Sequence, residues 1–565
     1  MKEDELSPTV IQKINELAEK RREIALLPPE KALTEIFNAP VPEALVQSFP
    51  KEDFYFLVKQ MGYDDAMDLF AMASNGQWEF LMDMDVWKKD VLDEKEVGKT
   101  FARLLDADPK RLVKWVTSDE KEVFELYLYR TVDVRIREHD QDPSDFGDDF
   151  FTFDDVMYFK VYADPATDPD RKEAEDVEKF LWTLFSTILE EDMESLRNYV
   201  WEAKFILSAE EEEEAYCMRN VRLAESGFAP FDEAIGVYQP IWPNEFEKKA
   251  VRKGKEKISQ EDSLLPVPQF FTGLFSDTQL FVKALAQIQD ANVWRELQVE
   301  FAAVSNRLIV ADEITIEDRA DLTKVVKKAV GYLDIGLDAV IKEMPGRTPV
   351  SVLEDFALVD IFRAGYSFVL KSKWDADAFY KESKYPLTFW GEEKMGMLGG
   401  LLLPRPLLYD ENKTTENRYR DFWNTDDIRF ARHELEATKA LKTVFDQMNL
   451  PMAGAPKWVA WSTLLMTYFA NDLIEKKEGA LPLSEKEVRW AQGKLFRKKT
   501  ETEWALNDDM PSALQAWMEK NNGTITPLVE ESLTQMWREI EEGSKYVNPD
   551  TVSAKYVPYF ISEEI

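Results

Sequence analysis

The chain has 565 residues, of which 108 are acidic and 70 basic, so its formal net charge is −38. A field of this sign repels phosphate backbones, and we therefore do not expect nucleic acid as a partner. Hydrophobic residues make up 45% of the chain and charged residues 32%, which is typical of folded domains and disfavours general disorder.

The composition favours helices in a reducing compartment. Only 21 residues are glycine, whereas Leu, Ala, Glu, Lys and Met are plentiful. Cys217 is the single cysteine and cannot form an internal disulfide. The first residues lack the basic start and apolar stretch of a secretory signal, so we expect a cytoplasmic protein. The uncharged stretch from Trp458 to Asn471 is shorter than the roughly 18 apolar residues that span a bilayer, and it predicts a buried helix.

Short helical units follow one another through the first part of the chain. Several open with Pro-Glu or with acidic residues, and each carries Leu, Phe or Val at helical spacing. Helices of about ten residues cannot bury their apolar stripes alone, so this succession predicts stacking into a superhelix or bundle. We predict an all-α fold, with a short-helix domain at residues 1–137.

Three segments carry a family resemblance. They are LPPEKAL at Leu27–Leu33, MDMDVWKKD at Met82–Asp90 and RLAESGFAPFDEAIGVYQP at Arg222–Pro240. The chain resembles an uncharacterised bacterial family of large multi-helical proteins of unknown function, which implies a helical protein and no transferable activity. The rhythm of helices from Leu27 to about Tyr129 also resembles the N-terminal helical domain of MgtE-type magnesium transporters.

The helical pattern stops after Glu138. Residues 139–155 hold seven Asp and four Phe, and a second polar stretch follows Val161. We predict an acidic linker at 138–176, a central helical domain at 177–345 and a C-terminal helical domain at 346–565.

Local signals predict details of the C-terminal domain. Ser351 with Glu354 and Ser484 with Glu487 have capping-box spacing, and Thr526-Pro527 marks another helix start. The breaker-rich run Leu398–Leu408 predicts a buried extended connection or a binding loop rather than a helix.

The sequence lacks the common catalytic signatures. His139 and His433 are the only histidines, and the position where HExxH needs its second histidine holds Ala437. The chain contains no GxxxxGK[ST] phosphate loop, no dinucleotide fingerprint and no GxSxG elbow. We nominate no catalytic residue and no resident cofactor.

The Asp- and Phe-rich segment at residues 139–155 allows three interpretations once an EF-hand is excluded. An EF-hand starting at Asp142 fails, because its fifth and twelfth positions are Phe146 and Phe153. An irregular Mg²⁺ or Ca²⁺ site would use Asp145, Asp148 and Asp149. A docking segment would insert Phe150, Phe151 or Phe153 into a partner protein. The third interpretation is a charged loop whose Phe side chains pack inside the protein.

These observations favour a non-enzymatic cytoplasmic scaffold or adaptor that binds another protein. The alternative hypothesis is a divalent-cation-responsive regulator. A third hypothesis is a metal- and carboxylate-dependent hydrolase. The sequence leaves the oligomeric state open.

Overall fold

The computed structural model describes residues 8–563 except 26, 89, 118–121, 148, 163–171, 192–196, 198–199, 202–207, 226, 249–278, 317–318, 411–417, 453–455, 457–458 and 477–481. The chain forms two compact units. Unit 1 comprises residues 1–239, 244–333 and 340–363, and unit 2 comprises 240–243, 334–339 and 364–565. The predicted four-part division of the chain stays a prediction.

The described residues at the start of unit 1 form nine helices of 6 to 18 residues, as the rhythm of the sequence predicts. They are α1 (Pro8–Ala25), α2 (Pro29–Phe37), α3 (Pro42–Ser48), α4 (Lys51–Met61), α5 (Met67–Met72), α6 (Asn75–Asp85), α7 (Glu94–Ala107), α8 (Pro109–Val116) and α9 (Glu122–Thr131).

Local chemistry explains where these helices begin. Proline occupies the first turn of α2, α3 and α8, where its missing N–H costs nothing. Ser74 and Gln77 form a capping box at α6, and the Asp93 carboxylate caps α7. Fully buried aromatic side chains, including Phe54, Trp78 and Phe101, then fill the space between the helices.

Two small sheets interrupt the helices of unit 1. Strands β1 (Trp87–Lys88) and β2 (Val91–Leu92) form an antiparallel hairpin after α6. Strands β3 (Val132–Ile136), β4 (Phe151–Thr152) and β5 (Met157–Val161) form an antiparallel sheet in the order β3-β5-β4. Val134 pairs with Phe159, and Phe151 pairs with the same residue from the other side. Strands β4 and β5 fall within the residues whose composition marks a linker.

The later helices of unit 1 range from 4 to 25 residues. They are α10 (Lys172–Glu191), α11 (Ser208–Glu225), α12 (Phe231–Ala234), α13 (Leu280–Leu285), α14 (Ala291–Ala311), α15 (Arg319–Glu343) and α16 (Pro349–Asp355). Helix α10 covers one face of the three-stranded sheet, where the Phe185 and Phe159 rings lie 5.2 Å apart. Short 3₁₀ turns at Ile235–Tyr238 and Pro243–Lys248 follow α12.

Unit 2 is also built mainly of helices. Its elements are α17 (Leu358–Glu382, whose first turns belong to unit 1), α18 (Glu392–Leu402), β6 (Leu408–Tyr409), β7 (Tyr419–Arg420), α19 (Thr425–Met448), α20 (Trp461–Leu473), α21 (Glu485–Leu495), β8 (Phe496–Lys498), β9 (Trp504–Leu506), α22 (Met510–Lys520) and α23 (Pro527–Ser544). Helix α20 lies where the uncharged stretch predicts a buried helix.

The predicted extended connection at Leu398–Leu408 is wrong for its first half, because α18 continues to Leu402. The glycines in this helix allow the β6–β7 hairpin to approach closely. A Cβ at Gly396 would lie 2.7 Å from the Tyr409 ring, and one at Gly400 would lie 2.4 Å from the Leu407 carbonyl oxygen. Tertiary packing therefore outweighs the poor helix propensity of glycine here.

The segment around Ile561 is buried in unit 2. Phe560, Ile561 and Ser562 are almost fully buried. The Leu483 amide donates to the Ile561 carbonyl at 2.8 Å, and the Ile561 amide donates to the Thr467 hydroxyl oxygen on α20 at 2.9 Å.

The described helices and few short strands confirm the all-α prediction for the protein as a whole. Every helix among the described residues is too short or too polar to cross a lipid bilayer.

Candidate functional site

A group of buried charges lies where α4, α6 and α11 meet in unit 1. We call Lys59, Asp83, Asp85, Arg219 and Arg222 the charged junction. The Asp83 side chain is 3% exposed and accepts hydrogen bonds from Arg222 Nε at 2.9 Å and Nη2 at 2.7 Å. Burial raises the pKa of Asp83, while Arg222 and Arg219 oppose that rise. Asp83 therefore needs these arginines to stay ionised inside the protein.

Asp85 occupies the second half of the charged junction. Lys59 Nζ lies 2.8 Å from one Asp85 oxygen, the Tyr55 hydroxyl donates to that carboxylate at 3.0 Å, and the Tyr63 hydroxyl donates as well. Burial raises the pKa of Asp85, and burial together with the Asp85 charge raises that of Tyr55. Both carboxylate oxygens of Asp85 therefore have hydrogen-bond partners inside the protein, so removal of one partner would leave a buried charge poorly compensated.

Two of the family-like segments meet at the charged junction. Met82–Asp90 contains Asp83, and the segment that starts at Arg222 supplies its ion-pair partner. The Phe80 and Phe228 rings lie 5.8 Å apart beside this pair. The resemblance found in the sequence therefore marks a contact of the fold.

Helix α11 is also anchored to α9. The Arg130 guanidinium binds both carboxylate oxygens of Glu212, at 3.1 and 2.6 Å. The Leu92 amide donates to Glu212 Oε1 at 2.9 Å. Arg130 also lines a cavity beside the three-stranded sheet.

This cavity, which we call the sheet cavity, has a volume of about 420 Å³. It lies beside β3, one of the two edge strands of the three-stranded sheet. The apolar lining comes from Leu128, Val132, Val134, Phe159, Phe185 and Val200, and the polar lining from Tyr129, Arg130, Asp133 and Tyr162. An apolar wall with a few polar groups is typical of binding sites, whose volumes are about 300–1,000 Å³.

Aromatic side chains continue from the cavity wall to the surface. Phe159 and Phe185 both contact Phe153, whose ring centroid lies 4.4 Å from that of Trp182. Trp182 is 49% exposed, and Tyr129 and Tyr162 are 41% and 57% exposed. We call Phe151, Phe153 and Trp182, at the β4 edge of the sheet, the aromatic surface. Tyr129 and Tyr162 instead line the sheet cavity beside β3.

The predicted docking residues lie on both faces of the sheet. Phe151 and Phe153 are half-buried and pack against Trp182. Phe150 is separate from them, because it packs under the Arg135 guanidinium at 4.7 Å from its ring centre. Only two of the three predicted phenylalanines therefore share one surface.

The predicted cation site stays a prediction. Asp145 is exposed, Asp149 binds Lys160 Nζ at 2.9 Å, and Asp148 lies outside the described residues. Across the part of the chain that the structure describes, no group of three or more His, Cys, Asp or Glu side chains is placed to hold a metal ion. His433, on α19, contacts Glu531 at 2.9 Å.

Tyr129, Tyr162 and Trp182 were not predicted from the sequence. A signal for Trp182 was present, because its neighbours Leu181, Leu184, Phe185 and Ile188 form the buried stripe of α10 and Trp182 lies off that stripe. No comparable spacing marks the two tyrosines.

A comparison with known protein families identifies the family of this chain. The family model described as a family of unknown function, DUF6178, matches residues 10–563. The chain belongs to this family. The DUF6178 match covers residues of both compact units. No curated protein and no solved structure matches the chain. The resemblance to MgtE-type transporters is not confirmed.

Proposed function

We propose that the protein is a non-enzymatic cytoplasmic scaffold or adaptor that binds another protein through the aromatic surface. The observation that carries this proposal is Trp182, whose side chain is 49% exposed while its ring packs on Phe151 and Phe153. Tyr and Trp are enriched among the residues that contribute most to protein interfaces. Each combines a large apolar face with a polar group, so it tolerates solvent before binding and burial afterwards.

The negative charge of the protein indicates the kind of partner. Asp140, Asp142 and Asp145 are exposed in the loop between β3 and β4. Together with the net charge of −38, they would attract a basic protein and accelerate its encounter with the aromatic surface. The same field disfavours nucleic acid as a partner.

The rigid support of Trp182 strengthens the proposal. The centroid of its ring lies 4.4 Å from that of Phe153 and 5.9 Å from that of Phe151, and these two residues lie in β4 or directly after it. A side chain that is already held in place loses less conformational entropy when a partner binds. Phe151 and Phe153 thus act as the support for the contact, and Trp182 is its exposed part.

The test compares two exposed tryptophans. Tagged full-length protein, Trp182→Ala and Trp490→Ala are purified from the native cells at low salt, and retained proteins are quantified by mass spectrometry. Trp490 is 41% exposed and lies on α21 in unit 2, so it matches Trp182 in chemistry and exposure.

We expect a stoichiometric partner with the wild type and Trp490→Ala, and at least about a tenfold loss with Trp182→Ala, since an interface hot spot contributes about 2 kcal/mol or more. Equal retention by all three proteins would exclude the aromatic surface as the contact.

A further inference from the structure

We propose that the sheet cavity binds a neutral, mainly apolar small molecule that carries an aromatic ring system and one hydrogen-bonding group. This site is separate from the proposed protein contact, because no side chain of the aromatic surface belongs to the described lining of the cavity. The inference rests on the apolar wall of the cavity, on the internal pairing of its charged side chains and on its two phenols.

The apolar wall of the cavity is partly aromatic. Val132 and Val134 point to the same face of β3, because side chains alternate along a strand. Phe159 of β5 pairs with Val134, and its ring centroid lies 5.2 Å from that of Phe185 on α10. Two further apolar residues also line the cavity, Leu128 and Val200. An aromatic compound would pack on the phenylalanine rings and be shielded from water by the aliphatic side chains.

Both charged side chains of the described lining are paired inside the protein. The Arg130 guanidinium binds the two carboxylate oxygens of Glu212, at 3.1 and 2.6 Å. The Asp133 carboxylate accepts a hydrogen bond from Arg135 Nε at 3.0 Å. A charged ligand would lose its hydration in the cavity and find each opposite charge already engaged. The arrangement therefore favours a ligand without net charge.

Two phenols supply uncharged polar groups at the cavity. Tyr129 and Tyr162 belong to its lining. The Tyr162 amide donates to the Thr131 carbonyl at 2.9 Å and Asp133 pairs with Lys160, so the register places Tyr162 on the Asp133 face of the sheet. Burial and then the charge of Asp133 raise the pKa of the Tyr162 phenol. This phenol therefore stays protonated at neutral pH and can donate a hydrogen bond to a ligand oxygen.

The size of the cavity sets the size of the ligand. Its volume of about 420 Å³ lies near the lower end of the range of about 300–1,000 Å³ found for small-molecule sites. A compound with two fused rings suits this volume better than a nucleotide cofactor does.

Three probes with the same two fused rings test the proposal on the full-length chain. Naphthol is neutral at neutral pH and has one hydroxyl group, naphthoate is an anion and naphthylmethylammonium is a cation. Binding of each is measured by isothermal titration calorimetry. The comparison isolates the charge of the ligand, because the ring system is unchanged.

Two pairs of variants locate the binding site. Val134→Trp places an indole in the cavity, and Ile136→Trp is its control, since Ile136 is half-buried on the same face of β3 but does not line the cavity. Tyr162→Phe removes only the phenol oxygen, and Tyr546→Phe, at an exposed site in unit 2, is its control. Circular dichroism verifies that each variant is folded.

We expect naphthol to bind the wild type at least about tenfold more tightly than either charged probe, since a charge without a partner is costly to desolvate. Val134→Trp should weaken naphthol binding at least about tenfold, because the indole fills the space that the ligand needs. Tyr162→Phe should weaken it about fivefold through the loss of one hydrogen bond. The two control variants should bind naphthol as the wild type does.

Three results would overturn the proposal. They are no naphthol binding to the wild type, equally tight binding of a charged probe, and unchanged naphthol binding by Val134→Trp. If Val134→Trp does not fold, Tyr162→Phe decides, because loss of one oxygen from a 57% exposed side chain leaves the packing intact. Naphthol binding that is unchanged in Tyr162→Phe would then count against the site.

Discussion

Arg222 and Asp83 are 139 residues apart in the sequence and form a two-pronged ion pair inside unit 1. The pair fixes α11 against α6. Glu79 adds a second carboxylate, 3.1 Å from Arg222 Nε.

Replacing Arg222 by Ala should destabilise unit 1 strongly. Asp83 would remain 3% exposed without its main partner, and removal of one member of a buried ion pair costs about 3–5 kcal/mol. Urea unfolding followed by circular dichroism measures the effect. The control is Arg307→Ala, whose partner Glu233 is 63% exposed, so the cost should stay below about 1 kcal/mol. Equal effects of the two substitutions would contradict this account.

The contact between Glu212 and Arg130 should give unit 1 a defined acid sensitivity. Burial alone would raise the pKa of Glu212, but hydrogen bonds from Arg130 and the Leu92 amide hold that pKa below its ordinary value of 4.5. A lowered folded-state pKa stabilises the folded protein fully above pH 4.5, and this stabilisation is lost as the pH falls through the lowered pKa.

Comparison with Glu212→Gln measures this contribution. The wild type should be more stable than the variant above pH 4.5, and the difference should shrink as the pH falls below that value. Urea unfolding over a pH series provides the data. Glu214→Gln, an exposed site on the same helix, keeps the Glu212 contact intact and serves as the control. A difference that does not change with pH would show that the Glu212 charge is not responsible.

Gly400→Ala should destabilise unit 2. The new Cβ would lie 2.4 Å from the Leu407 carbonyl oxygen and 2.9 Å from the Tyr419 ring, so backbone must move. Overpacking of this kind costs about 1–3 kcal/mol. Gly493→Ala, on α21, is the matched control because no atom lies within 4 Å of its Cβ. That change should be neutral or stabilise the helix by about 0.5–1 kcal/mol, as thermal unfolding would measure. A neutral Gly400→Ala would argue against the close approach of the hairpin.

Magnesium ions provide a test of the cation-responsive alternative. We expect the Tm in about 5 mM Mg²⁺, a concentration suited to weak sites, to equal the Tm in NaCl of the same ionic strength. The reason is that Asp149 is already paired with Lys160. A rise in Tm that is specific to Mg²⁺ and disappears in the triple variant Asp145→Asn, Asp148→Asn, Asp149→Asn would favour the alternative. Calcium is tested in the same way.

Helix starts were predictable where the signal is local. The capping box of Ser484 and Glu487 and the Thr526-Pro527 start are both confirmed. The predicted box of Ser351 and Glu354 is wrong, because the helix starts at Pro349 and Thr348 forms the box with Ser351. Two overlapping motifs three residues apart compete here, and Pro at the first helical position decides between them.

The candidate sites could not be predicted from spacing. Asp83 and Arg222 belong to segments that the family resemblance singled out, but nothing in either segment indicates that they meet. The sheet cavity combines residues of α9, β3, β5 and α10, so it exists only after the strands have paired and α10 has packed on them. Local propensity carries no information about such long-range pairing.

The buried segment around Ile561 affects the order in which parts of the protein can fold during synthesis. Thr467 lies near the middle of α20, and its hydroxyl oxygen accepts a hydrogen bond from an amide 94 residues further along the chain. Helix α20 therefore cannot reach its final packing on the ribosome until residue 561 has left the exit tunnel. Unit 1, whose residues precede 364, can complete its core while most of unit 2 is still being translated. A pause in translation before residue 561 would leave the apolar face of α20 exposed to chaperones.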